Sequence, residues 1–223
     1  MREVLTDPAQ ALFHGSVDLF RHILDNTDAD INGSYVLSDE RPRSLLEHAI
    51  IRDEGPCVDY LLSRNDLDVH AVILHPHSDP RYLGTPVVSD LLCHALSNPQ
   101  IAHKYFMHVL LHPSCDVNRS HLFFTEASRM NILEEAVFRA LSVTDLDYLP
   151  LLRYILNMIL HLKGGIPFLS SDADEASPLE EARWFVHNGT PQEARIGQML
   201  LELFRDSITM VRSFECPEAA AAA

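Results

Sequence analysis

A six-residue phrase is written four times in this chain of 223 residues: SLLEHA (44–49), DLLCHA (90–95), NILEEA (131–136) and SPLEEA (177–182). Aligned on their last residue, Ala49, Ala95, Ala136 and Ala182 fall 46, 41 and 46 residues apart. Each alanine has a leucine three positions earlier: Leu46, Leu92, Leu133 and Leu179. Positions i and i+3 share a helix face, so leucine and alanine point the same way in each phrase. The small residue lets a neighbouring helix approach, and the leucine fills the space beside it. A unit of about forty residues cannot bury its own apolar face and must stack on copies of itself, so this periodicity constrains the fold strongly.

A second apolar helical pattern follows each phrase or precedes the next. VDLFRHIL (17–24), VDYLL (58–62), IAHKYFMHVLL (101–111), YLPLLRYILNMIL (148–160) and ARIGQMLLELF (194–204) fill that slot. Three run into short polar endings: DADIN (28–32), LDVH (67–70) and CDVN (115–118). The expected unit is helix, tight turn, helix, polar loop. The expected fold is all-α, a solenoid of about five stacked helix-turn-helix repeats with long connecting fingers. Residues 148–160 are apolar nearly all round, which places that helix between repeats or beneath a partner or second copy.

The order [ST]-P-L-x-x-A, a helix ending in paired aliphatics, then D-[VI]-N, resembles the ankyrin repeat. SPLEEA matches that repeat's T-P-L-H-x-A with Ser for Thr and Glu for His. The first unit, TDPAQALFHGSVDLFRHILDNTDADIN (6–32), resembles it over its length, with Gly15 at the turn between helices and Ala11 as a fifth register point. The resemblance covers about residues 6–210, as repeats near 6–32, 43–70, 88–118, 130–163 and 176–211 of one domain over 1–216. A tail, 217–223, is expected to be disordered. The long units are similar to those of divergent fungal ankyrin proteins. The chain departs from the family where Glu47, Cys93, Glu134 and Glu180 replace the histidine after the leucine. In the family that histidine ties neighbouring repeats together, which implies repeats here that are splayed or differently bonded. HAVILHPHSDPRYLGTPVVSD (70–90) inserts a long finger, and KGGIPFLSSDADEASP (163–178) replaces the usual polar ending.

Composition excludes several functions. A net charge of −15 repels phosphate backbones, and no basic patch offsets it, so nucleic acid is not an expected partner. No run reaches the ~20 apolar residues of a membrane span, and MREVLTDPAQ has no apolar signal core, so the expected location is cytoplasmic or nuclear. Four scattered cysteines (Cys57, Cys93, Cys115, Cys216) form no CxxC pair and fit a reducing compartment.

The chain holds thirteen histidines, among them His70, His75 and His77 on one finger and the i, i+4 pair His108 and His112. Neither set has the spacing of a zinc site, and Lys104 stands one turn before His108, so no metal and no cofactor is expected. Cys93 and His94 are adjacent and do not face each other on a helix; a dyad would need a histidine from a neighbouring unit. Glu134–Glu135 and Glu180–Glu181 read as solvated helix edges, and Asp172 and Asp174 as capping charges.

The resemblance implies a concave groove lined by residues around each register alanine. Carried over, these are Gln10, Phe13 and His14; His48, Ile51 and Arg52; His94, Ser97 and Asn98; Glu135, Phe138 and Arg139; Glu181, Trp184 and Phe185. Phe13, Ile51, Phe138 and Trp184 would form an apolar ladder with Arg52 and Arg139 beside it, residue types that dominate interfaces. The opposite orientation would put Phe138 and Trp184 in the core. The expected function is a protein–protein interaction module, not an enzyme, with self-association through 148–160 open. The alternative is a scaffold remodelled to hold a small molecule or to act as an enzyme, with His48, Cys93, His94 and Glu135 at a pocket floor.

Overall fold

A computed structural model describes residues 7–37, 41–73, 84–122, 129–142, 149–162 and 176–215. The chain is mostly helical and divides into two compact units, Met1–Asp116 with His121–Ser128, and Val117–Ser120 with Arg129–Ala223. The tail at 217–223 and most of 163–178 lie outside the described residues, as do His75, His77, Asp172, Asp174 and Cys216.

The first unit holds three helical hairpins. Helix α1 (Pro8–Phe13) turns into α2 (Val17–Asn26), and α3 (Leu45–Ile51) into α4 (Gly55–Leu62). In the third, α5 (Val87–Ser97) is followed by α6 (Pro99–Ile101), a π-helical segment (Ala102–Phe106) and α7 (Met107–Leu111). First helices pack on first helices, α1 on α3 and α3 on α5, while α2 packs on α4. The register residues Ala11, Ala49 and Ala95 are fully buried along that inner row, with Leu46 and Leu92 beside them.

The first two turns are copies of each other. Gly15 and Asp53 both adopt left-handed backbone, φ 67° and 60°. The next residue's N–H reaches back to the register alanine in each: Ser16 donates to the Ala11 carbonyl (3.1 Å) and Glu54 to the Ala49 carbonyl (2.9 Å). That backward bond is how a helix ends in a left-handed residue, and it makes Ala11 and Ala49 structural equivalents. The third turn is built differently: Asn98 is extended, its Oδ1 accepts the Gln100 N–H (3.0 Å), and Pro99 opens α6.

Polar loop ends bind one hairpin to the next. The Asn32 amide donates to the Asp66 carbonyl (2.8 Å) while its oxygen accepts the Asp68 N–H (2.7 Å). One hairpin further on, Val69 N–H donates to Ser114 Oγ (3.1 Å) and Asp116 N–H to His70 Nε2 (3.0 Å). The finger at 70–90 begins and ends in a small antiparallel ladder, β1 (Val72–Ile73) against β2 (Thr85–Pro86), an addition to the all-helical expectation. Helix α5 starts directly after it, three residues ahead of the phrase DLLCHA.

The second unit contains α8 (Ile132–Ser142), α9 (Leu149–Asn157) continuing into a π-helical segment (Met158–Leu162), α10 (Pro178–Asn188) and α11 (Pro191–Glu215). Leu133, Ala136 and Ala182 are fully buried. Helix α9, apolar nearly all round in sequence, packs on α8 and α11 with Leu152, Ile155 and Leu156 inside.

Three phrases open with the same N-terminal device. Ser44, Asn131 and Ser177 cap α3, α8 and α10, and the glutamate three residues on returns a carboxylate to the cap's own N–H: Glu47 (2.8 Å), Glu134 (2.7 Å) and Glu180 (2.9 Å). These reciprocal pairs satisfy donors that a helix N-terminus otherwise leaves open. The glutamates three residues after each cap thus hold the helix starts.

Candidate functional site

Four large apolar side chains stand exposed at one repeating position, two residues after a register alanine: Phe13 (42%), Ile51 (37%), Phe138 (43%) and Trp184 (56%). Two residues is about 200° of helix, so the side chain opposite a buried alanine must face outward. Phe138 and Trp184 therefore point away from the core in their unit, and Trp184 meets Phe185 edge-to-face at 4.9 Å.

In the first unit, the Arg52 guanidinium covers the Phe13 ring at 4.6 Å and His14 meets the same ring edge-on at 5.3 Å. Beside Ile51 an open cleft of about 640 Å³ runs between the α3–α4 turn and the α6–π segment, lined by Ile50, Ile51, Asn98, Ile101 and Tyr105 among others. Its polar corner is Asp53. The carboxylate accepts Lys104 Nζ (2.6 Å) and the Tyr105 hydroxyl, and these two bonds hold Asp53 well below the usual carboxylate range. Both partners come from the π-helical segment, a kind of helix irregularity common at functional sites.

The other expected groove residues are placed differently. His48 is buried, and its Nε2 lies 3.2 Å from the Tyr35 carbonyl, so that nitrogen carries the proton. His94 is half-buried, 3.5 Å from Arg41 Nη2; burial holds its imidazole below the usual range. The Cys93 thiol donates to the Ser89 carbonyl (3.2 Å). In the second unit Arg139 bonds the fully buried Glu135 through Nε (2.9 Å) and Nη2 (2.7 Å). Of the residues considered for a catalytic pocket, His48, Cys93 and His94 belong to the first unit and Glu135 to the second. His112, half of the i, i+4 pair, is buried against Ser114 Oγ and the Arg64 carbonyl.

Sequence reasoning passed over Asp53 and Tyr105, took Lys104 only as a charge unfavourable to a metal near His108, and missed a buried carboxyl pair. Glu47 on α3 and Asp90 on α5 lie within hydrogen-bond reach of each other, and Arg41 Nη2 bonds Asp90 Oδ2 at 2.6 Å. Burial, reinforced by Asp90, pushes the Glu47 carboxyl up to about 8. Burial also opposes the Asp90 charge, but the hydrogen bond from Glu47 and the Arg41 guanidinium outweigh it and hold Asp90 below its usual value.

Among the described residues no group of three His, Cys, Asp or Glu side chains could hold a metal ion, and no helix is long and apolar enough to cross a membrane. Compared with known protein families, curated proteins and solved structures, the chain matches none.

Proposed function

We propose that the chain is a divergent ankyrin-type array that binds another protein through the faces carrying Phe13, Ile51, Phe138 and Trp184. One observation carries this reading. Four of the large apolar side chains left exposed stand at the same position of four repeats, while the alanine two residues earlier is buried each time. Exposed aromatics next to arginine are the composition of interface anchors. The cleft beside Ile51 is open, and its charged corner, Asp53 and Lys104, is more than half exposed, which suits a macromolecule better than an enclosed small molecule. The repeated left-handed turns, the buried register alanines and the loop-to-loop bonds from Asn32 and Asp116 support the repeat assignment.

The test is capture of partners by the wild-type chain beside a Phe13→Ala, Ile51→Ala variant and a Trp184→Ala variant, each with an unchanged melting curve. Arg139 is a poor probe, because its replacement would break an ion pair to the fully buried Glu135 and so disturb the fold. A protein retained by wild type and lost with either variant establishes the reading. Co-purification of a small molecule with no protein retained would favour a ligand-binding scaffold instead.

A further inference from the structure

We propose that Glu47 and Asp90 share a single proton, and that this proton is an alkali-sensitive fastener between the second and third hairpins. Glu47 is wholly buried. Its Oε2 accepts both the Ser44 N–H and the Ser44 hydroxyl, each at 2.8 Å. Its Oε1 receives no donor from any described residue. Asp90, also buried, lies within its reach from α5, with Oδ2 already taken by Arg41.

Two carboxylates have no proton to give each other, whereas a carboxylic acid donates to a carboxylate. With the proton on Glu47, every atom of the group is satisfied: a carbonyl oxygen toward Ser44, a hydroxyl toward Asp90, and the Asp90 charge against Arg41. The reverse assignment would leave a buried Glu47 charge away from the arginine. The proton thus closes a chain of bonds from Ser44 through Glu47 and Asp90 to Arg41, spanning α3, α5 and the loop before α3.

Arg41 is bonded to the pair through Asp90, and other titratable groups surround it. On the α5 side, His94 lies close enough to Asp90 for its charge to favour the carboxylate, burial holds its imidazole below the usual range, and Arg41 and Arg43 stand beside it. Helix α4, on another side of α3, carries Cys57, Asp59 and Tyr60: the Cys57 thiol is pushed up to about 11 by burial, Asp59 is exposed, and the Tyr60 hydroxyl donates to Asp25. Helix α1 has no titratable side chain; its capping Asp7 accepts the Ala9 N–H, and His14 is exposed. The segment against α5 brings His103, Lys104 and Tyr105, of which the last two are engaged with Asp53.

Because the folded value for Glu47 lies above its ordinary 4.5, its contribution to stability is whole below pH 4.5 and is lost as pH rises through about 8. Above that, two charges share one buried site, with the Arg41 guanidinium against Asp90.

The experiment is urea unfolding of the full chain, wild type and Glu47→Gln, between about pH 5 and pH 9, with carbon-13 NMR titration of the wild-type glutamate carboxyls. Glutamine keeps an acceptor for Ser44 and a donor for Asp90 but has no proton to lose. The wild-type folding constant should fall relative to the variant by at least about tenfold across that range, because folding there takes up a proton that the unfolded chain has already released. One glutamate carboxyl should titrate far above the rest and move toward them in Asp90→Asn. Parallel unfolding profiles, or a Glu47 resonance titrating with the exposed glutamates, would overturn the proposal. The NMR titration decides the matter alone if Glu47→Gln does not fold.

Discussion

The guanidinium of Arg52 lies 4.6 Å from the centre of the Phe13 ring, joining the turns of the first two hairpins. The ring is nearly half exposed, so the contact sits in high dielectric and is worth about 0.5–1 kcal/mol. Phe13→Ala and Arg52→Ala should each lower stability by about that amount, and the double variant by less than their sum. A double-mutant cycle in urea checks it; full additivity would mean the two side chains do not interact. If the face binds a partner, the same substitutions should cost far more affinity than stability, because anchor residues are exposed until the partner covers them.

Asp53 does at its turn what Gly15 does one hairpin earlier, but with a side chain attached. Aspartate tolerates left-handed backbone better than most residues, and here Lys104 and Tyr105 hold its carboxylate. Asp53→Gly should lose those bonds while keeping an easy backbone; Asp53→Ala should lose the bonds and also strain the turn. The expected order of urea midpoints is wild type, then Gly, then Ala. An alanine variant as stable as the glycine one would show that the turn does not require left-handed geometry.

Helix capping offers a sharper comparison. Asn131 Oδ1 accepts the Leu133 and Glu134 N–H groups (2.9 Å each) at a buried helix start. Asn131→Ala should cost about 1–2 kcal/mol, and Asn131→Ser should recover most of it, because serine rebuilds the pair with Glu134 as in the other phrases. Equal losses from both substitutions in thermal melts would mean the cap is not what the asparagine contributes.

Leu133 tests the repeat alignment itself. It is fully buried three residues before fully buried Ala136, as Leu46 and Leu92 are before theirs. Leu133→Asp should cost ~3 kcal/mol or more, as a charge placed in a packed interior. A melting curve unchanged by it would remove the basis for reading NILEEA as a repeat of SLLEHA.

What was legible in the sequence followed from short range. The leucine–alanine pairs and the turn at Gly15 depend on spacings of a few residues, which a helix fixes by itself, and the recurrence of the phrase every 41 to 46 residues links them. The outward direction of Phe138 and Trp184 was legible only as one of two orientations, since a helix of unknown neighbours does not say which face is hidden. The glutamates at 47, 134 and 180 read first as departures from the ankyrin pattern, and Glu134–Glu135 as a solvated helix edge, whereas both of the latter are buried; the S-x-x-E and N-x-x-E spacing was the signal for the capping role. The meeting of Glu47 with Asp90, and of Asp53 with Lys104, joins residues over forty positions apart. Nothing local encodes such contacts, and a single sequence offers no other route to them. Lys104 belongs to a solvated stripe by its spacing alone; the π-helical segment sets it beside the turn instead.

Gly197 weighs packing against helix propensity. It lies inside α11, where glycine is about 1 kcal/mol worse than alanine. A Cβ there would stand 2.8 Å from the Ala182 carbonyl oxygen and 3.1 Å from Val186 Cγ2, both on α10. The backbone oxygen cannot step aside without moving the helix that carries the register alanine. Overpacking of this kind costs ~1–3 kcal/mol, so it should at least cancel the propensity gain. Gly197→Ala is therefore expected to be neutral to destabilising by about 2 kcal/mol, the difference of those two ranges. Gly197→Val should be worse, since it adds bulk without helix propensity. A gain in melting temperature for Gly197→Ala would show that α10 and α11 have room to separate, and that the close approach at Ala182 is not what holds this hairpin together.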